Sequence, residues 1–244
     1  MSSAVIIGAS SGVGRALAER LASEGHDLVL VSRDTRDLEA ISSDLRLRHR
    51  HQCTFIVADI GDPRWDVTAF ARECVERVGP IDLLMIPAGG ASTGDVGAVP
   101  EVIAGVVATN FLGPARAAAA FGQAMAERGR GAIVLFSSIA AAAPRRRNAA
   151  YSAAKAALEV YARALRHELE PRGVRVVVIA LGYVDTAQSY GMRLMFPVAQ
   201  PNAVAKYAII AAQGGGKHYY PWFWYWITTA LRLLPWRVYS RLSF

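Results

Sequence analysis

Two cysteines in 244 residues, Cys53 and Cys74, offer no disulfide framework, and neither sits in a CxxC pair. His and Cys never fall at metal-ligand spacing, so no metal site is expected and a reducing compartment is. Acidic residues run out early: none follows Asp185, whereas Arg193, Lys206, Lys217, Arg232, Arg237 and Arg241 do. Six of the seven net positive charges therefore lie in the last quarter of the chain, and the body is nearly neutral. That placement, with no nucleic-acid motif beside it, excludes nucleic acid as the expected partner. No charged leader precedes the first apolar run at 4–7, so no signal peptide is expected and the location expected is cytoplasmic. Apolar residues at 53% against 19% charged mean that the chain should fold, as one α/β domain rather than two small ones.

What is present is alternation. Runs rich in Val, Ile and Leu at 4–7, 28–32, 53–58, 82–87, 132–137 and 174–180 have the composition of strands buried on both faces. Amphipathic stretches at 12–24, 35–48, 64–78, 101–128 and 151–170 lie between them and predict helices. Strand–helix alternation with right-handed crossovers gives a single Rossmann-type, doubly wound parallel sheet with helices on both faces. The run Gly214-Gly215-Gly216 divides a domain over 1–213 from a tail over 214–244.

The first strand enters Gly8-Ala9-Ser10-Ser11-Gly12-Val13-Gly14, and a helix follows at once. A turn of small residues there lets backbone amides approach a pyrophosphate at the helix N-terminus. A glycine pattern alone is weak; on the first strand of an alternating chain it is strong. The second strand ends in Ser32-Arg33, with Ser32 where an acid would hold the ribose 2′-hydroxyl of NAD and Arg33 suited to a 2′-phosphate. NADP(H) is thus preferred; NAD(H) stays open because a small backbone shift would bring Asp34 to the ribose. Asp59, after the third strand, suits either a contact to the adenine or a cap on its own turn.

Tyr151-Ser152-Ala153-Ala154-Lys155 puts a phenol and an ammonium on one helix face. Tyrosine, with an ordinary pKa of about 10, is a poor acid–base group at neutral pH, and a nearby ammonium favours its ionised form. Ser138, thirteen residues earlier at a strand end, is placed to hydrogen-bond a carbonyl. With these residues the chain resembles the short-chain dehydrogenase/reductase family over roughly 4–213. The Gly8–Gly14 turn is similar to TGxxxGxG, with Ile7 for the threonine, and Asn110 in Ala108-Thr109-Asn110 matches the family's helix-4 asparagine.

The resemblance implies ketone–alcohol interconversion with a nicotinamide cofactor. Tyr151 would donate the proton, Ser138 orient the carbonyl oxygen, Lys155 bind the nicotinamide ribose and lower the tyrosine pKa, and Asn110 position a relay water. It places further cofactor contacts at Ile60, Ala88, Gly89, Gly182, Val184 and Thr186, the last on the carboxamide. It also implies homodimers or homotetramers built through 101–128 and 151–170. Two motifs depart from the family: Asn-Asn-Ala-Gly stands here as Ile86-Pro87-Ala88-Gly89, and Pro-Gly as Leu181-Gly182. The first change removes two side-chain hydrogen bonds behind the cofactor.

Four of the five tryptophans fall in 219–236, a stretch broken by Pro221, Arg232 and Pro235 and so too short to span a bilayer, which takes about 20 apolar residues. Trp, Tyr and Arg favour a membrane interface, so residues 219–244 are expected to hold the protein on the cytoplasmic membrane face. The other expectations are packing against a sister subunit or a lid over the pocket. Arg145-Arg146-Arg147, on the loop after Ser138, either receives an anionic substrate group, together with Tyr183 as a substrate contact, or is solvated loop. The combination resembles family members that reduce lipid-linked keto sugars and points to lipid metabolism. The expected activity is an NADPH-dependent reductase of a lipophilic, lipid-linked ketone. A soluble 3-oxoacyl or steroid-type reductase, or a non-catalytic NADPH-binding sensor, are the alternatives.

Overall fold

Strands that carry apolar residues at every position need cover on both sides, and this sheet has it. In the computed structural model, which describes residues 2–90, 99–144, 148–186 and 196–242, seven strands form one parallel sheet in the order β3-β2-β1-β4-β5-β6-β7. They are β1 (Ser3–Ile7), β2 (Asp27–Ser32), β3 (Cys53–Val57), β4 (Ile81–Ile86), β5 (Gly131–Ser138), β6 (Val174–Leu181) and β7 (Gly216–Tyr220). The period of two divides their side chains between two cores. Ala4, Ile6, Leu28, Leu30 and Val134 face one side; Val5, Ile7, Val29, Val31 and Ile133 face the other.

Helices α1 (Gly12–Ser23), α2 (Thr35–His49) and α3 (Val67–Val78) link the first four strands. The expected start of α3 at 64 moves to Val67, because the carboxylate of Asp66 accepts hydrogen bonds from the amides of Thr68 (3.0 Å) and Ala69 (2.9 Å) and so fixes the N-cap there. The single helix expected over 101–128 is α4 (Pro100–Val107) and α5 (Gly113–Glu127) joined by a π-helical turn, Ala108–Leu112. Among the described residues this is the one helix long and apolar enough to cross a membrane. It is also a layer of the domain, with Ala117, Ala118, Phe121 and Met125 packed in one of the two cores. Helix α6 (Ala149–Leu169) leads to β6.

Beyond β6, α7 (Pro201–Ala211) was not among the expected helices, although Pro201 stands at its first turn and Val204, Ala205, Ala208 and Ala211 form its buried stripe. Residues counted with the tail then return to the sheet as β7, which is held from behind by Glu159. One oxygen of this carboxylate meets Lys217 Nζ at 2.6 Å and the other accepts from Ser137 Oγ at 2.8 Å. The stretch that stands apart from the sheet thus begins at Pro221 and contains α8 (Trp224–Leu233) and α9 (Trp236–Tyr239).

The order of β1 and β4 reverses the direction of winding, and in such sheets ligands bind at the carboxyl ends of the strands flanking that point. Asp66→Ala should cost about 1 kcal/mol in urea denaturation by loss of the α3 helix cap.

Candidate active site

The turn after β1 is folded back on itself. Gly8 and Ala9 donate to the Val31 carbonyl at 2.7 and 3.0 Å, and a Cβ on Gly14 would lie 1.9 Å from the Gly8 carbonyl oxygen. Only glycine lets the first turn of α1 pack this closely. Ser11 is the N-cap residue, yet its side chain makes no capping bond, and no acidic residue stands in the first turn. The first-turn amides of Gly12, Val13 and Gly14 have no intrahelical acceptor, so the partial positive charge of the helix end is open to an anion. These residues fit a dinucleotide pyrophosphate.

At the end of β2, Ser32 Oγ donates to Ser10 Oγ at 2.9 Å and accepts from the Asp34 amide at 3.2 Å. Asp34 is committed elsewhere: its carboxylate accepts from the Asp37 amide at 3.0 Å and caps α2. Arg33 is exposed and lies 3.7 Å from Asp59. Such an exposed pair is worth little and yields readily to a phosphate. Asp59 in turn accepts from the Gly61 amide at 2.9 Å, so it stabilises its own turn while balancing Arg33.

The loop after β4 follows the altered Ile-Pro-Ala-Gly motif. Ala88 donates to the Ile7 carbonyl at 2.9 Å. Asn110, in the π-helical turn, then supplies side-chain bonds to this loop. Its Oδ1 accepts from the Gly90 amide at 2.9 Å, and its Nδ2 donates to the Gly90 and Val106 carbonyls at 3.0 Å each. The wider turn marks a functional position in many helices, and here it aims a buried amide at the loop. Gly89 has φ of +127°, and a Cβ there would stand 2.5 Å from Asn110 Oδ1 and 3.1 Å from Lys155 Nζ. Asn110 and Lys155 therefore flank one point beside Gly89. Ile60 is buried after β3 on the same side of the sheet as this helix.

Ser138 closes β5 and pairs in register with Leu181 on β6. Its Oγ accepts from the Ala140 amide at 3.2 Å and shares a hydrogen bond with the Tyr151 hydroxyl. One turn along α6, Lys155 is buried; its Nζ donates to the Phe136 carbonyl at 2.9 Å and lies 5.8 Å from the Tyr151 ring centre. Burial pushes the Tyr151 phenol above its ordinary pKa, against the smaller opposite pull of the Ser138 hydrogen bond. The same desolvation brings the Lys155 ammonium down to about 8. The expectation that Lys155 lowers the tyrosine pKa is therefore not met in the protein alone. There, burial of the phenol is the larger effect.

On β6's exit, Thr186 returns to the glycine turn: a Cβ on Gly12 would lie 3.0 Å from its Cγ2. Val184 is buried and bridges to Ala199. Gly182 donates to the Tyr220 carbonyl at 2.9 Å, and Tyr183 packs edge-on against Trp224 at 5.6 Å. Trp224 is the residue that sequence reasoning did not single out. It is 3% exposed, and a Cβ on Gly182 would fall 2.0 Å from its Nε1. The residues Arg145, Arg146 and Arg147 lie outside the described residues.

The family model for short chain dehydrogenases matches residues 2–193. The chain is 33% identical over 186 residues to dehydrogenase/reductase SDR family member 7B of Mus musculus, covering 75% of this chain and 57% of that one. It is 36% identical over 193 residues to galactitol 2-dehydrogenase (L-tagatose-forming) of Cereibacter sphaeroides, covering 78% and 74%. Among solved structures, a short-chain dehydrogenase from Sphingobium yanoikuyae in complex with NADPH superposes with a TM-score of 0.82 at 28% identity, over 100% of this chain and 97% of that one. The chain thus spans less than two thirds of the mouse relative's length. It belongs to the short-chain dehydrogenase family.

The buried lysine sets a pH-dependent stability. Its folded pKa of about 8 is below the ordinary 10.5, so between these values the unfolded chain binds more protons, and stability rises as pH rises. Below pH 8 the burial penalty is fully present. Lys155→Met should therefore stabilise the cofactor-free protein by up to about 3 kcal/mol at pH 7, a gain that fades to nothing by pH ~10.5. Denaturant titrations at both pH values check this.

Proposed function

We propose that this protein is an NADPH-dependent reductase that interconverts a ketone and a secondary alcohol on a lipophilic substrate. The observation that carries the reading is the hydrogen-bonded pair of Ser138 and Tyr151, with Lys155 one helical turn behind, at the carboxyl end of the sheet beside an uncapped helix N-terminus. The similar Sphingobium short-chain dehydrogenase was solved in complex with NADPH. Arg33, exposed and unshielded except by Asp59, favours the same 2′-phosphorylated nucleotide here, since Asp34 is engaged as a helix cap.

When bound, NADPH would supply the hydride for the carbonyl carbon. The protein's part is positioning and protons. A carbonyl oxygen placed between Ser138 and Tyr151 accepts hydrogen bonds from both hydroxyls. Burial keeps Tyr151 protonated, which is the state a proton donor to the developing alkoxide requires. As the proton leaves Tyr151, the phenolate is balanced by Lys155, whose pKa of about 8 lets it pass a proton on at neutral pH. Asn110 keeps the loop over Gly89 and Gly90 in place and holds the relay point beside Lys155. The glycine turn, Thr186 and Val184 would hold the pyrophosphate and nicotinamide ends, with Tyr183 on the substrate side.

The aromatic, acid-free stretch over 219–244 supports work at the cytoplasmic membrane face and a lipid-linked substrate. The exposed Leu112 and Val160 favour pairing of copies through α4–α5 and α6 into a homodimer or homotetramer.

Tyr151→Phe should lower kcat on a panel of hydrophobic ketones by about 10²- to 10⁴-fold, with NADPH binding intact by thermal shift. Equal turnover by the two proteins would remove Tyr151 from its role. Arg33→Ala should raise the KM for NADPH at least ~10-fold and leave that for NADH unchanged, because a charge-assisted bond to the 2′-phosphate is lost. Unchanged preference would defeat the NADPH assignment.

A further inference from the structure

Helices α8 and α9 have two unlike faces. The inner one is keyed to the site. Trp224 and Thr228, one turn apart, are buried; the Trp224 ring occupies the space a side chain at Gly182 would need, with Tyr183 and Phe196 packed around it at 5.6 and 4.8 Å. Gly182 directly follows Leu181, the register partner of Ser138. At the other end, the Tyr239 hydroxyl donates to the carbonyl of Pro144, on the segment between Ser138 and Tyr151. The pair thus runs from the exit of β6 to the segment between Ser138 and Tyr151.

The outer face reverses the usual order of an amphipathic helix. Trp222 is 72% exposed, Trp226 64%, Leu233 79% and Trp236 75%, with Arg232, Arg237 and Arg241 also exposed among them. Large apolar side chains this exposed, so close along the chain, mark a contact surface. The arginines decide which. No Asp or Glu follows Asp185, so a second copy seated on this face about a two-fold axis would bring arginine against arginine. Anionic headgroups complement the same charges, and tryptophan favours the depth at which they lie.

We propose that this outer face seats on an anionic lipid bilayer and thereby holds the substrate mouth against it, so that the ketone reaches Tyr151 from the lipid and not from water. The inference rests on the membrane-surface reading above and gives it a face, a charge preference and a consequence for substrate entry. The inner contacts at Gly182 and Pro144 transmit the seating, because α8 and α9 cannot shift on the bilayer without moving the site's rim.

The test compares the full-length wild type with Trp222→Glu/Trp226→Glu, after equal melting temperatures establish that both fold. Phosphatidylglycerol vesicles should co-sediment the wild type at least ~10-fold better than phosphatidylcholine vesicles, and each arginine among Arg232, Arg237 and Arg241 replaced by Ala should weaken this by roughly fivefold. The double variant should lose vesicle binding and at least ~10-fold of the turnover of a long-chain ketone carried in the vesicles, while a short water-soluble ketone is reduced as before. Wild-type vesicle binding by the double variant would overturn the surface. Lost binding with unchanged turnover of the vesicle-borne ketone would overturn delivery from lipid. A wild-type dimer that the double variant breaks, with no vesicle binding by either, would assign the face to a sister subunit instead. Failure of both proteins on the soluble ketone would sink the reductase reading alone, with the sedimentation arm still deciding the surface.

Discussion

The site depends on placing one ammonium where water does not reach. Lys155 Nζ is held by the Phe136 carbonyl at the end of β5 and faces the turn at Gly89, where no side chain fits. Burial costs the charged form enough to bring its pKa to about 8. This cost is borne by the sheet: β5 and β6 are buried almost throughout, and α6 lies flat on them through Leu158, Ala162 and Leu165. In the proposed reaction a lysine so placed can exchange its proton not far above neutral pH, next to a phenol that burial keeps protonated.

Around that pair the same side of the sheet gathers what the proposed reaction needs. The turn at Gly14 leaves helix amides open for a pyrophosphate, and Ser138 meets the Tyr151 hydroxyl directly. Asn110 takes up a further duty. The usual asparagine side chains after β4 are missing; two of Asn110's bonds hold the loop at Gly90, and the third, to the Val106 carbonyl, stays within its own helix.

Much of this was legible in the sequence because it is written locally. Double-sided burial makes strands into continuous apolar runs, and a Tyr and a Lys four apart on a helix must share a face. Asp34 was read as an alternative ribose contact, whereas its carboxylate caps α2, and that engagement favours Arg33 over an acid at the ribose. What was not legible is tertiary. The π-helical turn at Ala108–Leu112, which carries Asn110, was not among the expected elements. Gly182 was read for its place beside the cofactor, yet its hydrogen faces Trp224, which lies 42 residues later and closes that end of the site. The shift of Tyr151 above its ordinary pKa was likewise out of reach, since spacing reports which groups are neighbours and says nothing of how dry they are.

The chain has only three lysines, Lys155, Lys206 and Lys217, so their side-chain nitrogens can be followed one by one. The most direct measurement is an NMR titration of ¹⁵N-lysine-labelled protein without cofactor, with Lys155→Met to identify the signal. The account requires Lys155 to release its proton near pH 8. A midpoint close to 10.5 would mean a solvated ammonium and would contradict the buried relay on which the proposed chemistry stands.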